Sequence, residues 1–451
     1  MCLSLSILLS ALGVSIANIA LPALAEAFNA SFQDVQWIVL AYLLTITTVI
    51  VSAGRLGDMA GHRCVLLWGL AVFTLASAAC AAAPTLALLI FARAVQGLGA
   101  AVMMALTVAM VSGAVAKEKT GSAMGLLGTM SAVGTALGPS LGGILIAKLG
   151  WAAVFYINIP LGLLALALGY RYLPLDSPQP SCQAGFDGMG TALLAASLVA
   201  YALSMTLGRG AFGALNAALL LAGILGLGLF AFAETKTVSP LIRPAMLRNR
   251  VLSTGLVMNL LVMAVVMATL IVGPFYLSGA LMLDAVTVGL CMSVGPVVTA
   301  LMGVPAGRAV DRFGPGRMTV VGLAGMLAGA SLLAVMPVSA GVAGYVVPLA
   351  LLTAGYAQVQ AANNTTIMTA APDAHRGVVS GLLNLSRNLG LITGASAMGA
   401  VFALASRSHE AGLFNPEAAA AGLRATFAVA AGLVAVAALA AVISQARARL
   451  S

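Results

Sequence analysis

The chain has 451 residues, 61% of them hydrophobic and 7% charged, against about 25% charged in a soluble domain, which excludes a water-facing globular surface. Its 21 Lys and Arg against 12 Asp and Glu leave a formal charge of +9, yet the bases lie in short loops between long apolar runs, where they set membrane topology rather than bind nucleic acid. Cys2, Cys64, Cys80, Cys182 and Cys291 form no C-x-x-C pair, and His62, His375 and His409 fall in predicted loops, so no disulfide framework, metal site or cofactor is expected.

Lipid offers backbone amides no partner, so a span must be a helix of about 20 apolar residues. Fourteen are predicted, at 3–24, 35–54, 65–83, 86–113, 121–147, 153–172, 189–207, 212–233, 252–277, 286–304, 318–336, 345–370, 377–405 and 423–445, which makes the chain an all-α integral membrane protein. In the first, Ala23-Leu24-Ala25 imitates a leader cleavage site, but without a basic n-region the segment reads as a retained helix. The lack of a basic tail before it hints at a start upstream of Met1. Asn18 here, with Gln36, Trp37 and Tyr42 in the second span and Asn259 and Tyr276 in the ninth, are candidate cavity groups.

After the second span comes Gly54-Arg55-Leu56-Gly57-Asp58-Met59-Ala60-Gly61-His62-Arg63. Its glycines allow a tight turn, and Asp58 can face the positive end of a helix and hold one side closed. An ordinary charged turn serving topology is the plainer alternative. The fourth span carries Arg93 and Gln96; a guanidinium cannot shed its proton, so Arg93 must face the protein interior or a wet cavity, or bond backbone carbonyls. The fifth packs Gly134, Gly138, Pro139, Gly142 and Gly143 into one helix, which predicts a bend and close helix approach. Gly138-x-Ser140-x-Gly142 matches a serine-hydrolase spacing, but no histidine lies in any span to act as base.

Residues 173–250 hold two further spans between linkers, with little chemistry beyond Tyr201, Ser204 and Thr206, and read as an inserted hairpin. In the second half the twelfth span carries Gln358, Gln360, Asn363, Asn364, Thr365 and Thr366. Amides on successive faces predict a water-lined cavity, with interhelical bonding as the alternative. The thirteenth span carries a second embedded cation, Arg387, beside Asn388.

Of the 21 bases, fifteen fall on one side if both termini are cytoplasmic, four (Lys148, Arg209, Arg407, Arg424) on the other, and two, Arg93 and Arg387, inside spans. That asymmetry orients the chain with its termini inside. Gly54-Arg55-x-x-Asp58-x-x-Gly61 recurs as Gly307-Arg308-x-x-Asp311-x-x-Gly314, an offset of 253, and Gly121, Gly125, Gly134 and Gly138 recur as Gly377, Gly381, Gly390 and Gly394, an offset of 256. Two landmarks at nearly one offset predict duplicated six-helix halves, 1–172 and 251–451, around a central site, with the two repeated loops as paired gates.

These residues resemble the major facilitator superfamily, and specifically its fourteen-helix drug:proton antiporter branch, over nearly the whole chain. Gly54 to Arg63 is similar to the superfamily's signature loop, Arg93 to Gly99 to its fourth-helix motif, and Gly134 to Gly143 to the antiporter motif. Trp37 with Tyr42-Leu43, Trp151 with Phe155 to Gly162, Phe186-Asp187, Pro240-Leu241-Ile242 and Arg387-Asn388-x-Gly390 are similar to the branch's own patterns. The resemblance implies a monomeric exporter of small organic molecules in the cell membrane, of the antibiotic-resistance type, driven by a proton gradient. One position departs: where the branch carries an acid in the first helix, aligned on Asn18-Ile19-Ala20-Leu21-Pro22, this chain has Gly13. All twelve acids fall at helix ends or in loops, leaving Glu26, Asp34 and Asp284 as weak proton carriers and favouring a neutral or anionic substrate. No phosphate-binding G-x-x-x-x-G-K-[ST] loop is present. A membrane enzyme lacks an acid, base or metal cluster; a receptor or scaffold on the same fold is the rival of another class.

Overall fold

The computed structural model describes residues 2–114, 120–173, 188–207, 213–236, 249–370, 376–406 and 416–448. Among these, thirteen helices are long and apolar enough to cross a membrane, and α5 below supplies the fourteenth. No strand occurs among the described residues. The first six spans are α1 (Cys2–Ala27), α2 (Phe32–Ala60), α3 (His62–Ala81), α4 (Leu86–Ala114), α5 (Thr120–Leu149) and the broken pair α6 (Ala153–Tyr156) and α7 (Asn158–Tyr172). Next come α8 (Gly188–Thr206) and α9 (Ala214–Lys236). The last six are α10 (Arg250–Gly279), α11 (Ala285–Phe313), α12 (Pro315–Val335), α13 (Gly341–Ala370), the pair α14 (Arg376–Thr393) and α15 (Gly399–Ser406) joined by a π-helical turn at Gly394–Met398, and α16 (Pro416–Ala448).

The chain therefore forms two related six-helix bundles with two extra helices between them. Association in lipid gains nothing from hiding apolar surface, so close packing of small residues must hold such bundles together. The glycines show it, and they show it twice. Where α3 crosses α4, a Cβ on Gly99 would strike the facing backbone and one on Gly69 the Val102 side chain; where α12 crosses α13, Gly322 and Gly355 press on each other's carbonyls. On α5, Gly134 presses on Leu8 and Gly138 on Ser15 of α1; Gly390 of α14 presses on Leu260, and Gly394 at the start of the π-helical turn on Ala264 and Met267, of α10. Leu260 and Met267 lie 252 residues beyond Leu8 and Ser15.

The repeated loops differ from expectation in one respect. Gly54, Arg55, Asp58 and Gly307, Arg308, Asp311 were expected in tight turns, but α2 continues as helix to Ala60 and α11 to Phe313. Only Gly61 (φ 96) and Gly314 (φ 85) turn the chain, in backbone conformations that L side chains rarely adopt. The remaining glycines keep helical geometry because each still closes the ladder of intrahelical hydrogen bonds.

The inserted helices pack against each other, Gly226 lying on Ser197 and Gly223 on Tyr201. Asn216 Nδ2 donates to the Ser204 and Leu207 carbonyls at 2.8 and 2.6 Å, which ties the hairpin's ends together. Ser52 of α2 meets Thr191 of α8 at 2.7 Å. The outer face of α9 exposes Leu215, Leu221, Ile224 and Leu225, the surface a lipid-facing helix presents. The predicted turn at Gly208–Gly210, the linkers 174–187 and 237–248, and Phe186-Asp187 and Pro240 to Ile242 lie outside the described residues, as do the side chains of Arg55 and Asp58.

Candidate functional site

A cavity of about 500 Å³ lies between the bundles. Its walls come from α1, α2, α4 and α5 on one side and α10, α11, α13 and α14 on the other. The lining runs from Ile7 and Leu127, nearer the side of the chain termini, to Ser15 and Met292, nearer the far side.

On the far side the halves meet closely. Gly143 lies on the Ala285 carbonyl and Gly289 on the Pro139 carbonyl, so α5 and α11 touch backbone to backbone. Phe32 of α2 packs against Phe275 of α10 and Phe402 of α15, with centroids 4.7 and 5.0 Å apart. Gln36 sits against Gly399, its amide buried without a hydrogen-bond partner among the described residues.

The two embedded arginines have opposite settings. Arg93 is 1% exposed and belongs to the first bundle's interior. Its Nε donates to the Ile38 carbonyl at 3.0 Å and its Nη1 to Gln96 Oε1 at 2.6 Å; Gln96 Nε2 in turn donates to Ser77 Oγ at 2.7 Å. The guanidinium carbon stands 4.1 Å from the Tyr42 ring centroid, where a cation meets the negative face of the ring. Tyr42 donates to the Ser10 carbonyl at 3.1 Å, and Ser10 lines the cavity, so Arg93 sits one side chain behind the wall. Arg387, by contrast, is exposed and lines the cavity itself, together with Asn384, Asn388 and Leu391 of α14.

Of the residues expected in a cavity, Arg387 and Asn388 lie on this wall, whereas Arg93, Gln96, Tyr42, Asn18, Trp37, Gln358 and Asn363 do not. Each of the latter has a packing role instead. Asn18 Nδ2 donates to the Val14 carbonyl of its own helix, Asn363 Nδ2 to the Gly255 carbonyl of α10 at 3.1 Å, and Gln358 Nε2 to the Ala306 carbonyl of α11 at 3.4 Å. Trp37 is half-buried against the main apolar core. Arg63 donates to the Tyr170 carbonyl at 2.6 Å, joining α3 to α7. Gly134, Gly138, Pro139, Gly142 and Gly143 are buried in contacts with α1 and α11 rather than on the wall, and Arg308 and Asp311 are exposed near the end of α11.

Ser131, Thr135, Thr353 and Tyr356, none of them among the residues expected there, also line the cavity. The repeat could have found the first, because Ser131 lies 256 residues before Arg387. The offset of 253 seen in the repeated loops pairs Tyr42 with Gly295, and the offset of 256 pairs Arg93 with Leu349; in the second half both equivalents line the cavity. A bulky stacked pair thus fills one bundle, where a glycine and a leucine leave room in the other.

The weak proton carriers lie at the far-side helix ends. Asp284 caps α11, and the Thr287 hydroxyl at 2.6 Å, then the Thr287 amide, hold its carboxyl below the ordinary carboxylate range. It stays ionised at neutral pH and is poorly suited to loading a proton. Asp34 is engaged in a capping box with Ser31 at the start of α2. Among the described residues no cluster of His, Cys, Asp and Glu has a metal-binding arrangement.

Residues 3–395 match the family model described as Major Facilitator Superfamily. The chain is 30% identical over 405 residues to the riboflavin transporter RibZ of Clostridioides difficile, covering 88% of this chain and 86% of that one. It is 31% identical over 407 residues to the tetracenomycin C resistance and export protein of Streptomyces glaucescens, covering 89% and 74%. A crystal structure of a D-xylose-proton symporter superposes with a TM-score of 0.70 at 15% identity, covering 98% and 95%, which speaks to the fold alone. With a duplicated bundle, a cavity between the halves and a family match across nearly its whole length, the chain belongs to the Major Facilitator Superfamily.

Proposed function

We propose that this transporter exports small organic molecules across the cell membrane by alternating access, as a secondary active transporter of the multidrug-efflux type. The observation that carries the reading is the cavity of about 500 Å³ shared by both bundles and sealed on the far side by contacts between them. Two bundles that rock about a shared midplane site exchange access from one side to the other. The relatives named for drug resistance and export favour efflux, and RibZ, named a riboflavin transporter, favours a solute of a few hundred daltons. With both termini cytoplasmic, as the basic loops indicate, the sealed side is the outer one. In this reading residues 1–172 and 251–451 move as bundles, 173–250 follow as an accessory, and the loops of Asp58 and Asp311 act as inner latches.

Proton antiport is the coupling that the family resemblance implies. The second reading, an exporter or facilitator of a neutral or anionic metabolite without a conventional proton carrier, is favoured by a cavity with no Asp or Glu among its described lining residues. Purified protein in proteoliposomes, tested with riboflavin and with cationic dyes with and without an imposed pH gradient, separates the two. Movement that follows the gradient supports antiport; movement indifferent to it supports the second reading; no movement of any solute points to a receptor or scaffold on the transporter fold.

A further inference from the structure

Among its described lining residues the cavity has a cation and no counterion. Arg387 is eleven residues into α14, about 16 Å along its axis at 1.5 Å per residue, and its guanidinium cannot lose its proton. Among the described residues it makes no hydrogen bond or ion pair, and it is the one charged group on the cavity wall. Arg93 shows what an arginine in this membrane needs when the protein itself must satisfy it: a carbonyl, an amide oxygen and an aromatic face. Arg387 has no such set among the described residues and is exposed, so its donors are open to whatever enters the cavity.

The groups around Arg387 define what would bring that charge. The amide of Asn388 and the phenol of Tyr356 are hydrogen-bonding groups beside the cation, and Gln360 adds another amide. The rest of the wall is largely apolar, with Met263, Met292 and Leu391 facing the same space. A planar carboxylate matches the guanidinium's two parallel donors. An aromatic or aliphatic body suits the apolar wall, and about 500 Å³ holds a compact organic molecule. We propose that the cavity is a binding site for amphiphilic organic carboxylates, with Arg387 as the anion anchor. For transport this rests on the exporter reading above; for binding it does not.

The test compares three solutes with one aromatic body and different charge: 2-naphthylacetate, its neutral amide, and the cation 2-(2-naphthyl)ethylamine. Binding to the purified full chain in nanodiscs is read by calorimetry, and movement across proteoliposomes is read in parallel. The expected result is that 2-naphthylacetate binds at least about tenfold more tightly than the amine, the size of effect a charge-assisted pair carries. Arg387→Gln removes that preference by about tenfold and leaves binding of the amide within about twofold, whereas Arg387→Lys retains most of it. The retained amide affinity shows that the variant is folded. Equal or tighter binding of the amine, or unchanged carboxylate binding in Arg387→Gln, overturns the proposal. Carboxylate binding through Arg387 without movement across the bilayer supports the site and overturns the exporter reading, so the two failures are distinct.

Discussion

Arg93 and Arg387 are the same residue type in the same kind of helix, and they do opposite things. The first bundle surrounds its arginine with Gln96, the Ile38 carbonyl and the Tyr42 ring. The second bundle places Leu349 and Gly295 at the equivalent positions and carries its arginine instead on α14, facing open space. A duplicated scaffold thus keeps its glycine contacts in both halves while letting polar groups diverge. The first half keeps its arginine as support behind the wall, and the second places its arginine on the wall.

The comparison can be broken most severely at the shared contacts. Gly138→Leu and Gly394→Leu each force a side chain into the backbone of the facing helix, and overpacking of this kind costs about 1–3 kcal/mol or more. Both variants are expected to lower the yield of monodisperse protein, to a similar extent if the halves are equivalent in packing. Next in size, Arg93→Gln removes two charge-assisted hydrogen bonds and is expected to destabilise by about 1.5–3 kcal/mol, seen as a lower Tm. Arg387→Gln, which loses no internal bond, leaves Tm within error. Reversal of that order would sink the division of labour between the two.

Gly295→Tyr tests the unequal filling of the bundles. It places a ring in the cavity near Thr353, in the register that Tyr42 occupies in the other half, and is expected to block solute binding while the protein remains folded. Tyr42→Phe keeps the ring over Arg93 and removes one hydrogen bond, with an expected loss of about 0.5–1.5 kcal/mol. The smallest effect belongs to Asp284→Ala at the cap of α11. Because the folded carboxyl titrates below its ordinary value, the cap's contribution is complete above the carboxylate range and disappears as pH falls through it. Thermal unfolding of wild type and variant is therefore expected to differ at pH 7 and to converge in strong acid.

The spans were readable because lipid imposes one answer on the backbone, and the duplication because Gly134 and Gly390, or Gly61 and Gly314, tolerate no substitute where helices touch or the chain turns. Gly69, with Gly322 and Gly355 in the second half, obeys the same rule but lies in no obvious motif, and only the packing revealed it. The site was less legible. Gln358 and Asn363 were expected in a cavity and instead bond carbonyls of α11 and α10, while Gln360, between them in sequence, lines it. A helix apolar on all sides carries no periodic mark of which face looks inward. That choice is made by rotation against neighbouring helices, which a string of residues does not record.

The meeting of Gly143 with Ala285 and of Gly289 with Pro139 has a consequence for how the far side would part. Main chain resting on main chain leaves no interlocked rotamers to be reset, so separation there needs little internal rearrangement and can be undone without error. The same smoothness makes the joint intolerant: one methyl group at either glycine acts as a wedge that pushes the two helices apart on this side. Suppressors of such a wedge are expected on the opposite helix, as changes that carve back the lost clearance.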